Sequence, residues 1–336
     1  MNNQRKALVL MSGGLDSSLA LAVILNSGIK AESVYFSMPF CHTVRKPDGL
    51  EYIKGLTEKL GVKLDIVDNE ETLIEIIKDP KHGFGSNMNP CIDCKIGIFK
   101  KAKALMFETG ASFIVTGEVL GQRPMSQQMW AMKQIENEAG LTGLVVRPLS
   151  AKKMKVTIPE KEGWIDREKL YGISGRGRRE QMELAVSMGI NEYPTPAGGC
   201  LLTDPGYSKR LKDLMKHKRD FTKRDADLLK YGRHFRISEE VKLIVGRNEQ
   251  ENNILETLCK KKEVLLGVKD IPGPTSLLAG EFTAKDIKFG ASVTARFSDF
   301  EDRSKMIKVR YKSKNEIDNV IEVFSAQEEE YNNLRI

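Results

Sequence analysis

Short apolar runs alternate with amphipathic stretches along the first 150 residues of the chain. The apolar runs predict strands at residues 7–11, 33–37, 63–67 and 113–116. Helical spacing of apolar positions predicts helices at residues 16–27, 50–60, 71–79 and 96–108. Strands that alternate with helices predict a parallel sheet with helices on both faces, and such sheets bind ligands at the carboxyl ends of their strands.

The pattern changes twice beyond residue 150. Residues 148–205 are irregular and rich in Gly, Pro and Arg, with one clear helix predicted at 178–188, and residues 206–232 predict basic helices. From Gly232 onward, short strand-like runs separated by turns predict a separate α+β domain. We therefore expect three parts: a parallel-sheet domain at 1–150, a basic extension at 151–231 that carries Cys200, and a small domain at 232–336.

The charge, the apolar content and the number of cysteines limit the classes of protein to which this chain can belong. The 336 residues are 40% hydrophobic and carry a net charge of +7, and residues 207–236 alone hold eleven Lys and Arg against four Asp. Such a concentration of positive charge favours a nucleic-acid partner. The sequence shows no signal peptide and no apolar run that could span a membrane, so we expect a cytoplasmic protein without membrane contact. Its five cysteines are then not expected to form disulfides.

The first predicted strand ends in Ser12-Gly13-Gly14-Leu15-Asp16-Ser17, and a helix follows directly. Adjacent glycines allow a tight turn, and the N–H groups of the turn and of the helix start bind anions. The spacing is neither that of a dinucleotide fingerprint nor that of a Walker loop. The segment resembles the pyrophosphate loop of the ATP pyrophosphatases, which split ATP between the α- and β-phosphates.

This resemblance implies a set of nucleotide contacts. Asp16 is expected to hold Mg²⁺, with a simple helix N-cap as the alternative. The loop should cradle the pyrophosphate, the end of the second strand should flank the adenine, and a segment after the fourth strand should close the same edge. The residues concerned are Met11, Ser12, Gly13, Gly14, Leu15, Asp16, Ser17, Phe36, Ser37, Gly117 and Glu118.

Cysteines form the second constellation. Cys91 and Cys94 are three residues apart at the start of a predicted helix, where the helix end favours thiolates, and Cys200 stands alone in a Gly-Gly-Cys turn. Three thiolates favour a [4Fe–4S] cluster with one open iron. A persulfide pair such as Cys94 and Cys200, a zinc site completed by Cys41, His42 or His82, and buried cysteines without chemistry remain alternatives.

A pyrophosphate loop followed by Pro-Cys-x-x-Cys and a distal Cys resembles the tRNA thiolation enzymes. The stretch at 117–127, Gly-Glu-Val-Leu-Gly-Gln followed by Ser126-Gln127, is similar to that of the 4-thiouridine synthases, as is Arg147-Pro148-Leu149. The 2-thiouridine synthases share the site before a helix, and their members with two cysteines are those associated with a cluster. On this resemblance we expect the protein to start at the catalytic domain and to lack the N-terminal RNA-binding module of the larger 4-thiouridine synthases, which leaves the target nucleotide open.

The last hundred residues carry a different resemblance. Residues 243–252, which include Gly246-Arg247-Asn248, and the later Gly273-Pro274-Thr275-Ser276 resemble the RNA-binding domain of NFACT-type proteins. A domain used only for dimerisation is the alternative. The expected fold class is therefore α/β: a parallel-sheet, HUP-like ATP pyrophosphatase domain followed by a small α+β RNA-binding domain.

Together these resemblances imply an ATP-dependent tRNA sulfurtransferase in which Cys91, Cys94, Cys200 and Asp16 are catalytic. The implied cofactors are ATP, Mg²⁺ and a [4Fe–4S] cluster, and the implied partners are tRNA, a sulfur donor (sulfide or a cysteine desulfurase) and a second copy in a homodimer. The favoured product is 4-thiouridine. The alternatives are a persulfide-based tRNA 2-thiouridine synthase, a nucleotide-sensing RNA-binding protein without catalysis, and an enzyme that transfers nitrogen to a small acid and holds zinc at the cysteines. Phosphate contacts with RNA are expected from Arg176, Arg178, Arg179, Lys209, Arg210, Lys218 and Arg219.

Overall fold

The computed structural model describes residues 5–38, 40, 48–193, 199–313 and 317–336. The chain forms two compact units, Met1–Asp204 and Pro205–Ile336. The middle part predicted at 151–231 is divided between them, because Ile165, Ile173 and Ala185 share a core with the first sheet. Cys41 and His42, named above as possible zinc ligands, lie outside the described residues.

The first unit contains a sheet of five parallel strands. They are β1 (Lys6–Met11), β2 (Lys30–Ser37), β3 (Leu64–Asp68), β4 (Phe113–Thr116) and β5 (Val145–Val146). Their order is β3-β2-β1-β4-β5, and all neighbours pair in parallel. The predicted parallel sheet is confirmed. Because the strand order reverses at β1, its carboxyl end lies at the switch point where such sheets bind ligands.

Seven helices cover this sheet within the described residues. They are α1 (Leu15–Asn26), α2 (Asp48–Lys59), α3 (Glu70–Lys78), α4 (Cys91–Glu108), α5 (Met129–Ala139), α6 (Ile158–Lys161) and α7 (Arg179–Ser187). Alternate residues of β1 belong to two hydrophobic cores, one on each face of the sheet. Ala7 and Val9 pack with α1 and α7, whereas Leu8 packs with α4 and α5. A strand that is buried on both faces explains the continuous apolar run at 7–11.

The second unit contains an antiparallel sheet of six strands. They are β6 (Arg233–Arg236), β7 (Lys242–Val245), β8 (Val264–Val268), β9 (Thr275–Ala279), β10 (Ile307–Ser313) and β11 (Asn319–Val323), in the order β11-β10-β8-β9-β7-β6. The helices are α8 (Pro205–His217), α9 (Lys223–Leu228), α10 (Glu249–Leu258), α11 (Ala284–Arg296) and α12 (Glu328–Tyr331). The predicted α+β class of this region is confirmed.

The two faces of this sheet are covered by different helices. On one face α11 packs closely on Leu243, Leu266 and Leu278, and a Cβ at Gly290 would lie 3.3 Å from the side chain of Leu266. On the other face Leu255 of α10 packs in a smaller cluster with Leu277. None of the described helices combines the length and the apolar composition that a membrane span requires.

The Gly-Arg-Asn segment that carried the second resemblance forms the turn between β7 and α10. Asn248 caps α10 by accepting a hydrogen bond from the N–H of Glu251. Asn252 Oδ1 accepts from the N–H of Thr275, and a Cβ on Gly246 would lie 2.1 Å from that oxygen. Glycine is therefore required at position 246 so that Asn252 can join the turn to β9. The contacts of this segment are architectural.

Candidate active site at the carboxyl edge of the parallel sheet

The predicted nucleotide loop leaves β1 at its carboxyl end and enters α1. Gly13 has φ = +76°, a conformation that residues with side chains rarely adopt. Ser17 Oγ donates to the carbonyl of Gly14 at 2.9 Å and accepts from the N–H of Ser12 at 3.2 Å. The serine ties both ends of the loop together. The first backbone N–H groups of α1 then face the space beyond β1, as an anion site requires.

Asp16 lies in the first turn of α1 beside this loop. Its Oδ2 accepts a hydrogen bond from Gln122 Nε2 at 2.9 Å and faces Arg178 Nη1 at 3.6 Å. Burial raises the pKa of Asp16, although Gln122 and Arg178 oppose that shift. Its Oδ1 is buried and has no hydrogen-bond partner among the described residues. An unpaired carboxylate oxygen beside a phosphate loop fits the chemistry of a Mg²⁺ ligand.

The segment after β4 closes on the same loop. A Cβ on Gly117 would lie 2.4 Å from the carbonyl carbon of Asp16 and 2.4 Å from the nitrogen of Ser17, which real Cβ atoms do not tolerate. Further along, Gly175 N donates to the carbonyl of Leu120 at 2.7 Å, which brings the segment carrying Arg178 to this edge. Gly117 is thus a packing requirement of the site.

Glu118 is buried within an ion-pair cluster. Its side chain is 4% exposed, and it faces Arg147 Nε at 3.0 Å and Lys95 Nζ at 3.1 Å. Burial alone would raise the pKa of Glu118, but Lys95 and Arg147 outweigh it and lower the pKa to about 2. Glu136 also pairs with Arg147. The carboxylate therefore stays charged and holds Lys95, the residue after Cys94, at the edge of the sheet.

The two predicted adenine contacts differ in exposure. Phe36 is buried in the core that α4 covers, whereas Ser37 is partly exposed at the end of β2. Ser37 Oγ donates to Asp68 Oδ1 at 3.4 Å. A role for either residue beside adenine stays a prediction.

Cys91 and Cys94 lie on the first turn of α4. This helix leads back into β4, so its N-terminus lies at the carboxyl edge of the sheet, on the side of the nucleotide loop. Cys94 Sγ lies 3.9 Å from Met38 Sδ, one residue beyond β2. The helix end favours the thiolate form of cysteines in this position.

Cys200 begins a segment that is hydrogen-bonded to residues before α4 and after β2. Leu201 N donates to the carbonyl of Phe40 at 2.9 Å, and Met88 N donates to the carbonyl of Leu202 at 3.1 Å. Although the thiols are of the right kind, the described residues contain no group of three His, Cys, Asp or Glu that could hold a metal ion. The arrangement thus does not itself form a metal site, and the cluster stays a prediction.

Asp93, between the two cysteines, has partners that sequence reasoning did not find. Its carboxylate accepts from the N–H of His82 at 2.9 Å and contacts His82 Nδ1 at 2.7 Å. The other ring nitrogen of His82 lies 2.9 Å from Glu138 Oε1 on α5. His82 therefore connects the first turn of α4 to α5 and does not join the cysteines in a described metal group.

The residues predicted to contact RNA fall into different environments. Arg176 is exposed, Arg178 faces Asp16, and Arg179 pairs with Glu183 on its own helix. In the second unit Lys218 pairs with Asp225, and Arg210 Nε donates to the carbonyl of Leu229. Lys209 and Arg219 are exposed. Whether these residues bind RNA stays a prediction, and the position of Arg178 favours a role at the nucleotide site.

Two known protein families match this chain, each over a different part of it. Residues 2–161 match the family model described as thiamine biosynthesis protein (ThiI), and residues 232–335 match the model described as NFACT protein RNA binding domain. The first match lies within the first unit and the second match lies within the second unit. Both resemblances predicted from the motifs are confirmed.

Curated relatives of the ThiI-type domain include proteins named probable tRNA sulfurtransferase. Those of Staphylococcus aureus strains Newman and COL are each 32% identical over 162 residues, which is 47% of this chain and 37% of the relative. The chain thus matches little more than a third of the length of these relatives.

Solved structures with similar chains include two RNA-modifying enzymes. A 4-thiouridine synthetase in complex with RNA and ATP has 24% identity, covers 56% of this chain and 53% of that chain, and gives a TM-score of 0.37. The U34-tRNA thiolase NcsA from Methanococcus maripaludis with its [4Fe–4S] cluster has 17% identity, with 68% and 74% coverage and a TM-score of 0.34.

Proposed function

We propose that this protein is an ATP-dependent tRNA sulfurtransferase. In this proposal ATP adenylates a uridine carbonyl oxygen, and sulfur then replaces that oxygen, with 4-thiouridine as the favoured product. The main observation in support of this proposal is that three features lie at the carboxyl edge of the parallel sheet. The nucleotide loop, the first turn of α4 with its two cysteines, and Lys95 held by Glu118 all lie there.

The first step needs a site for the triphosphate. The N–H groups of Gly13 and Gly14 and the start of α1 bind the pyrophosphate that leaves, which lowers the barrier for attack on the α-phosphate. Asp16 Oδ1 would hold Mg²⁺, which neutralises phosphate charge. The uridine oxygen attacks the α-phosphorus, pyrophosphate departs, and the base loses its N3 proton. The uridine must leave its stack to reach this edge.

The second step uses the cysteines. A persulfide on Cys94 adds its terminal sulfur to the activated carbon, and AMP leaves. Attack by the Cys200 thiolate on the Cys94 sulfur then breaks the S–S bond and frees the base as a thiolate, which takes up a proton from water to give 4-thiouridine. The resulting Cys94–Cys200 disulfide is reopened by a thiol reductant, and a cysteine desulfurase restores the persulfide. A [4Fe–4S] cluster on Cys91, Cys94 and Cys200, with sulfide as donor, is the alternative sulfur carrier.

The proposal is tested by anaerobic purification followed by iron and sulfide assays and by nucleoside chromatography of reacted tRNA. Cys91→Ala, Cys94→Ala and Cys200→Ala are compared with Cys259→Ala, a buried cysteine in the core of the second unit. The control should thiolate tRNA normally. Thiolation lost together with iron supports the cluster. Thiolation lost in Cys94→Ala and Cys200→Ala from an iron-free protein supports the persulfide.

Three other results would count against the proposal. Full thiolation by all three cysteine variants would remove the cysteines from the reaction. A product that elutes as 2-thiouridine would reassign the target carbon. Tight tRNA binding with no pyrophosphate release would favour the alternative of a nucleotide-sensing RNA-binding protein.

A further inference from the structure

A row of basic side chains lies along β10 in the second unit. Lys308, Arg310 and Lys312 are exposed and alternate with the buried Ile307 and Val309. Because successive side chains of a strand point to opposite faces, the three basic groups share one face, at a spacing of about 6.6 Å along the strand.

The pairing register shows which face this is. Arg310 pairs with Gly267 of β8, and Lys312 pairs with Leu265. Leu265 in turn pairs with Leu277 of β9, which packs under α10. The basic row is therefore on the α10 face of the sheet, beyond the part that α10 covers. The opposite face of the same strands is packed in the core with α11.

The side chain of Arg310 lies over Gly267, which has no side chain of its own. A Cβ at position 267 would lie 3.4 Å from Arg310 Nε, so the guanidinium passes over backbone where any other residue would place a side chain. Arg310 makes no ion pair with any residue that the structure describes. Its charge and its donors are directed to solvent.

Acidic neighbours neutralise this row only weakly. Lys308 lies 3.8 Å from Glu322 and Lys312 lies 3.4 Å from Asp318, and all four side chains are about half exposed. Exposed pairs of this kind contribute little and are screened by salt. A polyanion can therefore replace both carboxylates at small cost.

Two more features extend the row. Lys269 is exposed, and its N–H donates to the carbonyl of Lys308 at 2.9 Å, which puts a fourth cation beside the row. Phe324 follows β11, is 53% exposed, and lies on the same face as Val320, the partner of Arg310. We call Lys269, Lys308, Arg310, Lys312 and Phe324 the cationic face.

We propose that the cationic face binds a single strand of RNA, with phosphates on the basic row and a base stacked on Phe324. This inference rests on the proposed function, because it assigns to one surface the RNA binding which that function requires. The argument is charge complementarity: four cations on an open sheet with a solvent-exposed aromatic ring fit a backbone of phosphates and a planar base. An acidic protein would use the cations but would not need the exposed ring.

The test compares two double variants of the full chain with equal changes in charge. Arg310→Ala/Lys312→Ala alters the cationic face. Lys285→Ala/Lys288→Ala removes two exposed lysines from α11, the helix on the opposite side of the sheet. Affinity for unmodified tRNA and for a single-stranded oligonucleotide is measured over a series of KCl concentrations.

We expect the first variant to weaken binding of both RNAs and to reduce the slope of log K against log salt by about 1.4–1.8, the value for two phosphate contacts. The control should keep the wild-type slope. Phe324→Ala should weaken oligonucleotide binding about tenfold without changing the slope, since stacking releases no counterions.

Equal losses in the two double variants would show a general charge effect and overturn the proposal. Unchanged tRNA affinity in Arg310→Ala/Lys312→Ala would also overturn it, and would leave the surface to an acidic protein. Failure of the wild-type chain to bind any RNA is a different result, because it would contradict the proposed function itself.

Discussion

Asp16 shows how much one residue of the candidate site depends on distant partners. The sequence predicts its place in the loop, because the Ser-Gly-Gly-x-Asp-Ser pattern is local. It does not predict Gln122 or Arg178, which lie 106 and 162 residues further along and reach Asp16 only through the fold. The sequence therefore predicts Arg178 as an RNA contact like its neighbours, whereas in the structure its guanidinium faces Asp16 of the nucleotide loop.

The charge of Asp16 leads to a prediction for Arg178→Ala. Burial already raises the pKa of Asp16 and Arg178 counteracts this, so removal of the guanidinium raises that pKa further. The carboxylate then becomes protonated at a higher pH, and the acid limb of pyrophosphate release should move to higher pH. Arg178→Lys should restore most of the shift.

The pH profile of pyrophosphate release from labelled ATP measures this effect. Arg179→Ala is the matched control, since Arg179 pairs with Glu183 in solvent. A profile that is identical in wild type and Arg178→Ala would show that the guanidinium does not act on Asp16.

The close packing around Gly117 leads to a prediction that rests on steric overlap alone. In Gly117→Ala the new methyl group would overlap the backbone of Asp16 and Ser17 and displace the loop. We expect a loss of pyrophosphate release of about 100-fold, the usual effect of moving reacting groups by about 1 Å. Gly55→Ala, in open space on α2, should leave activity intact and stabilise the helix by about 0.5–1 kcal/mol. Normal turnover by Gly117→Ala would contradict the described approach of the two segments.

At the scale of elements, the prediction from sequence was good wherever periodicity was strong. All four predicted strands of the first sheet are present. The central strands β1 and β4 are buried apolar runs, whereas β3 at the edge of the sheet is only partly buried. The helix predicted from residue 96 begins at Cys91, since Asp93 is polar but buried against His82 and so breaks the apolar pattern. Helix α5 is not among the elements predicted from the sequence, although its buried Ala131, Met132, Ile135 and Ala139 have helical spacing.

The contact between α4 and the segment after β4 leads to a third prediction. Glu118→Gln removes the charge that the buried Arg147 faces, and we expect the free energy of unfolding to fall by about 3 kcal/mol. This is the low end for a broken buried pair, because Glu136 still holds Arg147.

Acid should remove this difference in a defined range. The pKa of Glu118 is lowered from 4.5 to about 2 in the folded state, so its contribution is complete above pH 4.5 and is lost as the pH falls towards 2. Chemical denaturation of wild type and Glu118→Gln at several pH values measures the gap. Glu183→Gln, which breaks an exposed pair, is the control that should not change stability. A gap that is the same at pH 2.5 and pH 7 would contradict the assignment.

At the scale of the whole molecule, the sequence predicts in outline only the proposed assignment of nucleotide chemistry to one unit and of RNA binding to the other. The motifs placed nucleotide chemistry in the first unit and RNA binding in the second. The basic row on β10 was missed because its residues alternate with core residues, so that no run of like charge appears in the sequence. The concentrated basic stretch at 207–236 instead predicts the nucleic-acid contact, yet several of its basic side chains form ion pairs with acidic residues of the second unit.

This division predicts a double dissociation in the full chain. Asp16→Ala should abolish pyrophosphate release while the affinity for tRNA and its salt slope stay at the wild-type values. Arg310→Ala/Lys312→Ala should raise KM for tRNA about tenfold or more and leave kcat unchanged, because the two lost phosphate contacts act before the chemistry. Steady-state kinetics with tRNA as the varied substrate separate the two cases. Equal losses of kcat in both variants would contradict the division.

The turn at Gly246 has a consequence for how proteins of this kind are recognised. Its glycine and asparagines are there to join a helix to a strand, and none of them belongs to the surface proposed to touch RNA. Natural variation can therefore alter the lysines and the arginine of β10 while the turn stays intact. A search by that motif would then gather relatives that share the architecture but have lost, or never had, an affinity for nucleic acid.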